Sequence, residues 1–181
     1  MFFAVTPPRR EVTAERAQQI ADVTLERLRP LGLDGLVLYD IDDESDRTSV
    51  ERPFPFLPTM DPADYLARHL AALDVPAVVY RAVGKYSERG LRSWLGTLDP
   101  QRVASVFVGA SSRDKPVATS LVRAQQLRIE ARPGLVLGGV AIPERHTRGG
   151  DEHLRMLAKH CLLYTSPSPR DQRGSRMPSS A

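Results

Sequence analysis

The chain has 181 residues, of which 41% are hydrophobic and 26% charged, and this composition predicts a globular protein with one sizeable core. No apolar run approaches the ~20 residues of a membrane-spanning helix, and a single cysteine excludes a disulfide framework or a cysteine zinc cluster. The net charge is +3, but residues 161–181 carry three arginines against one aspartate. Since the remainder is nearly neutral, we expect a cytoplasmic protein that binds neither nucleic acid nor membrane.

Five short apolar runs alternate with amphipathic segments along residues 1–160, which is the pattern of five β/α units. The predicted strands are 2–5, 35–39, 76–80, 103–109 and 134–141. The predicted helices begin after capping residues at Thr13, Asp61, Ser87, Thr119 or Ser120, and Asp151. We expect the fourth helix to end near Ala131 and the fifth to reach Lys159. Strands that alternate with helices predict an α/β fold with a parallel sheet and crossover connections.

Two architectures fit this alternation. A doubly wound sheet is complete at five strands, whereas a (β/α)8 TIM barrel needs ~250 residues and would be incomplete here. Residues 6–9, which follow the first strand, read Thr-Pro-Pro-Arg instead of the glycine-rich dinucleotide fingerprint. Long polar loops follow the later strands, as they do where a barrel builds its site. We therefore favour an incomplete barrel over residues 1–160.

Residues 161–181 form a segment of different composition. Residues 161–171 read Cys-Leu-Leu-Tyr-Thr-Ser-Pro-Ser-Pro-Arg-Asp, and all eleven match the translation of a transposase-type sequencing adapter. The two prolines and the serine-rich stretch that follows argue against a helix or a core strand. We predict a disordered, non-native tail beginning at Cys161; a natural disordered tail is the alternative.

The loops after strands two to five contain the side chains that are suited to binding or catalysis. Because the carboxyl ends of parallel strands meet at one edge of the sheet, these loops are expected to lie close together. These loops contain Tyr39 and the acidic run 40–44; Tyr80, Arg81, Lys85 and Tyr86; the run 111–114; and the run 143–146. Each has a structural alternative: the acidic run fits a solvated loop equally well, and Arg113 with Asp114 fits a local ion pair. The acidic spacing does not match a calcium loop, and no histidine pair supports a transition metal, so we expect no metal.

Three segments and one residue pair resemble the methylenetetrahydrofolate reductase family over residues 1–160. Residues 3–9, Phe-Ala-Val-Thr-Pro-Pro-Arg, resemble the first strand of that family, which ends in Pro-Pro-Arg. Residues 112–116, Ser-Arg-Asp-Lys-Pro, resemble its flavin-contacting loop, and residues 141–146, Ala-Ile-Pro-Glu-Arg-His, resemble the segment after its fifth strand. Glu152 and Lys159, seven residues apart, match an acid and a lysine that approach the cofactor.

The resemblance implies an eight-stranded barrel that binds FAD without a covalent bond. Such an enzyme passes a hydride from NAD(P)H through the flavin and reduces 5,10-methylenetetrahydrofolate to 5-methyltetrahydrofolate, so the implied partner is a reduced folate. It also implies a catalytic, pterin-contacting Asp114. The residues implied to bind the cofactor are Tyr39, Tyr80, Arg81, Arg113, Asp114, Glu144, His146, Glu152 and Lys159.

Three departures from the family pattern bear on the reaction, and one of them is that the loop at residues 111–114 is one residue off the family's usual spacing. The family's catalytic glutamate on strand one falls on Ala4, and without that proton donor the ring opening of the substrate loses its general acid. The tyrosine expected before Pro143 is Ile142. The alternative function is therefore a folate-binding barrel that is non-catalytic or catalyses another reaction. A third hypothesis is a chain inactive as given, because five strands leave two open edges; self-association as a homo-oligomer is left open.

Overall fold

The structure, a computed structural model, describes residues 1–42, 57–109, 116–141 and 149–163. The chain divides into two compact units, Met1–Val140 and Ala141–Ala181. The first unit contains a five-stranded, all-parallel sheet whose strands alternate with helices, as the sequence pattern predicts.

The strands of the first unit are β1 (Phe2–Val5), β2 (Gly35–Leu38), β3 (Ala77–Ala82), β4 (Val103–Val108) and β5 (Leu137–Gly139). The helices are α1 (Ala14–Leu28), α2 (Pro62–His69), α3 (Glu88–Thr97) and α4 (Leu121–Ala131). The strands lie side by side in chain order, β1-β2-β3-β4-β5. A doubly wound sheet reverses its strand order at a switch point, and the described strands show no such reversal.

The helices begin where the side-chain caps predict. The hydroxyl of Thr13 accepts a hydrogen bond from the Arg16 amide, and Ser87 and Ser120 act in the same way on α3 and α4. Ser120, not Thr119, is therefore the cap of the fourth helix. Asp61 caps α2 with one carboxylate oxygen, and Pro62 occupies the first helical position, where its missing N–H costs nothing.

The two faces of the sheet have different surroundings. Side chains on one face, such as Leu36, Val79 and Phe107, are buried against leucines of the helices. Residues that alternate with them, such as Val37 and Val78, are only half-buried. The described helices of this unit thus cover one face of the sheet and leave the other accessible.

The fifth strand is shorter than the predicted 134–141, because only Leu137–Gly139 pair with β4. Among the described strands it has a neighbour on one side only, and two of its three residues are glycines. Glycine loses the most backbone entropy on ordering and offers no side chain to pack, so an apolar run that contains a glycine pair forms a short edge strand.

In the second unit, helix α5 spans Glu152–Leu163. The helix therefore extends past its predicted end near Lys159 and includes residues 161–163, the first three residues of the predicted tail. Cysteine and leucine are compatible with a helix, and the first proline comes only at residue 167. The rest of the predicted tail lies outside the described residues.

Gly35 lies where β1, β2 and the start of β3 approach closely. A Cβ at this position would lie 2.9 Å from the Pro76 carbonyl oxygen and 2.6 Å from the Phe2 ring. We expect Gly35→Ala to lower the free energy of unfolding by about 1–3 kcal/mol, since the backbone must move to admit the methyl group. Gly32→Ala is the matched control, because nothing lies within 4 Å of its added Cβ. Equal denaturant midpoints for the two variants would contradict the expectation.

Candidate functional site at the carboxyl rim

The segments that follow β1 and β2 are joined at the carboxyl edge of the sheet, which we call the carboxyl rim. The Met60 amide donates to the Pro8 carbonyl at 2.8 Å. Thr59 exchanges two hydrogen bonds with Ile41: its amide donates to the Ile41 carbonyl, and its hydroxyl accepts from the Ile41 amide, both at 3.3 Å. These bonds hold the segments that follow β1 and β2 against each other.

The rim continues from β2 to β3 through a buried ion pair. The Asp40 side chain is fully buried, and one of its oxygens accepts from the Lys85 ammonium at 2.6 Å. The other oxygen accepts from the Tyr86 hydroxyl at 3.0 Å and the Ala82 amide at 2.9 Å. The Lys85 ammonium also donates to the Ile41 carbonyl at 3.1 Å. Asp40 is thus not the solvated acid that the sequence left open as an alternative; it joins the loops after β2 and β3.

The segment before α4 is hydrogen-bonded to the loop that follows β3. The Thr119 hydroxyl donates to the Tyr86 carbonyl at 2.6 Å, and the Ala118 amide donates to the Gly84 carbonyl at 2.9 Å. The loops after β1, β2, β3 and β4 are therefore linked in sequence by hydrogen bonds. Such links position side chains at the rim with little entropy left to lose on binding.

The buried phenol of Tyr86 makes the stability of the protein depend on pH. Burial, followed by the carboxylates of Asp40 and Asp61, raises the pKa of its phenol, while the nearby Arg81 guanidinium opposes the shift. A phenol whose pKa is higher in the folded than in the unfolded state stabilises the folded protein. This contribution is complete below the pKa of the unfolded state, about 10, and is lost as the pH rises above it. We expect the free energy of unfolding to fall as pH rises above about 10, and Tyr86→Phe to flatten that fall in urea titrations at pH 8–11. An unchanged slope in the variant would assign the effect to other groups.

Arg81 was predicted to bind the cofactor together with Tyr80, and the structure places its side chain on the helix-covered face. It is 3% exposed, and its guanidinium is paired with the Asp61 carboxylate. The guanidinium carbon lies 3.6 Å from the Tyr86 ring centre and 4.3 Å from that of Trp94. The sequence pattern identified Asp61 only as a helix cap and missed this second role. Side chains two residues apart on a strand lie on the same face, so Arg81 shares a face with the buried Val79. This spacing is the signal that could have predicted a buried Arg81.

Tyr39 and Tyr80 lie together on the accessible face of the sheet. Their ring centres are 4.9 Å apart, with ring planes tilted by 58°. Tyr39 is 38% exposed and Tyr80 is half-buried. Burial, and then the neighbouring Tyr39, raises the pKa of the Tyr80 phenol. The structure thus brings these two predicted site residues together and separates them from Arg81, which points to the opposite face.

Ala4, at the position of the family's catalytic glutamate, lies on β1 and pairs with Val37. Glu152 is buried at the start of α5, and the Lys159 backbone belongs to the same helix, as the seven-residue spacing suggests. The remaining predicted site residues lie outside the described residues: Arg113, Asp114, Glu144 and His146. Their roles stay predictions.

The described residues form neither a metal site nor a membrane span. In residues 1–42, 57–109, 116–141 and 149–163, no group of three or more histidine, cysteine or acidic side chains is arranged to hold a metal ion. Across the same residues, no helix is both long and apolar enough to cross a bilayer. The polar groups of the described rim are instead arranged around the buried Asp40.

No protein-family model and no curated protein sequence matches the chain. Among solved structures, the chain is similar to an uncharacterized protein from Clostridium thermocellum that binds two copies of 5-methyl-5,6,7,8-tetrahydrofolic acid. The two are 36% identical in sequence and superpose with a TM-score of 0.74. The similarity covers 90% of this chain and 50% of the other, so this chain spans about half the length of the protein that it matches.

Proposed function

We propose that this protein binds a reduced folate at the carboxyl rim of its sheet. The observation that carries the proposal is the similarity to a folate-binding protein, at 36% identity over 90% of this chain. The geometry supports it, because the rim holds together loops from four successive strands and presents an aromatic pair on the accessible face. Ligand sites of α/β folds lie at this edge.

We further propose that the sheet forms the first five strands of a (β/α)8 barrel. Three observations support this architecture: the parallel strands follow chain order, the described helices cover one face, and the chain spans half of its structural relative. In a barrel the uncovered face becomes the interior, which explains why Val37 and Val78 are apolar yet only half-buried. Additional strands would pair with the free edges of β1 and β5.

The test is a thermal unfolding series with 5-methyltetrahydrofolate. A ligand that binds only the folded state stabilises it by about 2.7 kcal/mol at one hundred times its dissociation constant, so the melting temperature should rise with ligand concentration. p-Aminobenzoic acid, which lacks the pterin, is the control ligand. A melting temperature that does not respond to 5-methyltetrahydrofolate would overturn the proposal.

Flavin-dependent reduction of methylenetetrahydrofolate stays a prediction from the resemblance, and the described residues do not favour it. Arg81 is engaged with Asp61 on the far face of the sheet, and Ala4 supplies no proton. We therefore favour folate binding without this reaction. A purified protein that is yellow, and whose colour NAD(P)H bleaches, would restore the reductase hypothesis.

A further inference from the structure

The Tyr39–Tyr80 pair is unlike the other aromatic contacts of the first unit. Tyr65 is 1% exposed, and Trp94 and Phe107 belong to the core between sheet and helices. Tyr39, in contrast, is 38% exposed although it directly follows a buried strand. In the proposed barrel this face becomes the interior, so Tyr39 would line the enclosed space, where a ligand could contact its ring.

The main chain holds the two rings side by side. The Tyr39 amide donates to the Val5 carbonyl at 3.3 Å, which continues the β1–β2 ladder by one residue. Tyr80 lies within β3, where it pairs with Val106 of β4. Next to Tyr39, the Asp40 side chain is fixed by three donors. Because both tyrosines belong to hydrogen-bonded strand positions, their rings form a preorganised surface.

In the part of the chain that the structure describes, the charged residues next in sequence to the two tyrosines are already paired. The Asp40 carboxylate is neutralised by Lys85, and the Arg81 guanidinium is paired with Asp61 on the other face. Neither tyrosine hydroxyl makes a hydrogen bond to another residue in the part of the chain that the structure describes. With these described neighbours paired, the tyrosine pair suits an uncharged ring system with hydrogen-bonding edges.

We propose that Tyr39 and Tyr80 form the wall against which the pterin ring of the folate stacks. This inference rests on the proposed function and assigns one end of the ligand to one place on the rim. The pterin is the uncharged bicycle of a reduced folate, and its planar pyrimidinone ring is the part that can stack, whereas the glutamate tail carries the negative charge. The charged tail would accordingly point away from the tyrosine pair.

The test compares variants that remove a ring with variants that remove only a hydroxyl. We expect Tyr39→Leu and Tyr80→Leu each to weaken 5-methyltetrahydrofolate binding about three- to tenfold, as the loss of one aromatic contact implies. Tyr39→Phe and Tyr80→Phe should bind within about twofold of wild type, since the stacking surface remains. Val23→Ser, an exposed change on α1, is the control. Isothermal titration calorimetry gives the affinities, and circular dichroism verifies that each variant is folded.

Two fragments of the ligand identify the end that the tyrosines contact. We expect the leucine variants to weaken binding of 6-methyltetrahydropterin and to leave binding of p-aminobenzoylglutamate unchanged. For variants that fail to fold, the near-ultraviolet difference spectrum of the wild type with 6-methyltetrahydropterin provides the readout, and stacking should perturb its tyrosine bands.

The outcomes separate this inference from the proposed function. A wild-type protein that does not bind 5-methyltetrahydrofolate overturns the proposed function itself. If the wild type binds and the leucine variants bind equally well, the ligand lies elsewhere and only the tyrosine wall is overturned. An affinity loss for the phenylalanine variants as large as for the leucine variants would also overturn stacking, since it would show recognition by the hydroxyls.

Discussion

Lys85→Met is expected to lower the free energy of unfolding by about 3–5 kcal/mol, the cost of leaving a buried charge without its partner. The Asp40 side chain has no exposed surface, so water cannot replace the lost ammonium. Two neutral donors, the Tyr86 hydroxyl and the Ala82 amide, remain and only partly compensate the carboxylate. Urea unfolding, followed by circular dichroism, measures the change.

The double variant Asp40→Asn with Lys85→Met distinguishes a charge effect from a packing effect. It removes both charges, and the asparagine side-chain oxygen keeps an acceptor for the Tyr86 hydroxyl and the Ala82 amide, so the double variant should be more stable than Lys85→Met alone. Arg92→Met is the matched control, because its pairing with Glu130 is about half exposed on both sides and should change the midpoint little. Equal losses for Lys85→Met and Arg92→Met would contradict the assignment of Asp40 as a buried charge.

Arg81→Met is expected to destabilise the protein by about 2–4 kcal/mol, the second largest effect. The substitution removes a nearly buried ion pair and two cation–π contacts, each worth up to about 2 kcal/mol when desolvated. Asp61 is 23% exposed, so water recovers part of the loss at its carboxylate. Arg81→Lys should not restore stability, because an ammonium cannot lie flat between two rings. Chemical denaturation measures both variants.

Trp94 provides a local readout for the same substitution. It is the only tryptophan in the sequence, and the Arg81 guanidinium lies 4.3 Å from its ring centre. We expect the native-state emission to change in Arg81→Met and to stay constant in Arg16→Met, an exposed substitution on α1. Unchanged emission in Arg81→Met at wild-type stability would show that the guanidinium does not occupy this position.

The candidate site was only partly predictable. Polar residues after each strand pointed to the carboxyl edge, and Tyr39 and Tyr80 do meet there. The same reasoning grouped Arg81 with the two tyrosines as a cofactor-binding residue, although a strand end has two faces. Adjacent residues on a strand point to opposite faces, so Tyr80 and Arg81 could not both line one surface.

Local patterns determined the elements of this protein. Caps at Thr13, Asp61, Ser87 and Ser120 set the helix starts, since each satisfies amides within its own first turn. Apolar runs between turns gave the strands, except where Gly138 and Gly139 weakened the last one. These signals depend on neighbours a few residues away, so the sequence alone contains them.

Only the tertiary structure decided the strand order, the covered face and the partners of the charged side chains. Asp40 and Lys85 are 45 residues apart, and Asp61 and Arg81 are 20 apart. No local pattern pairs them, because their proximity arises from the packing of β2 beside β3 and of α2 against β3. A carboxylate after a strand is equally suited to solvent or to a buried ammonium, and the choice depends on which loop the fold brings to it.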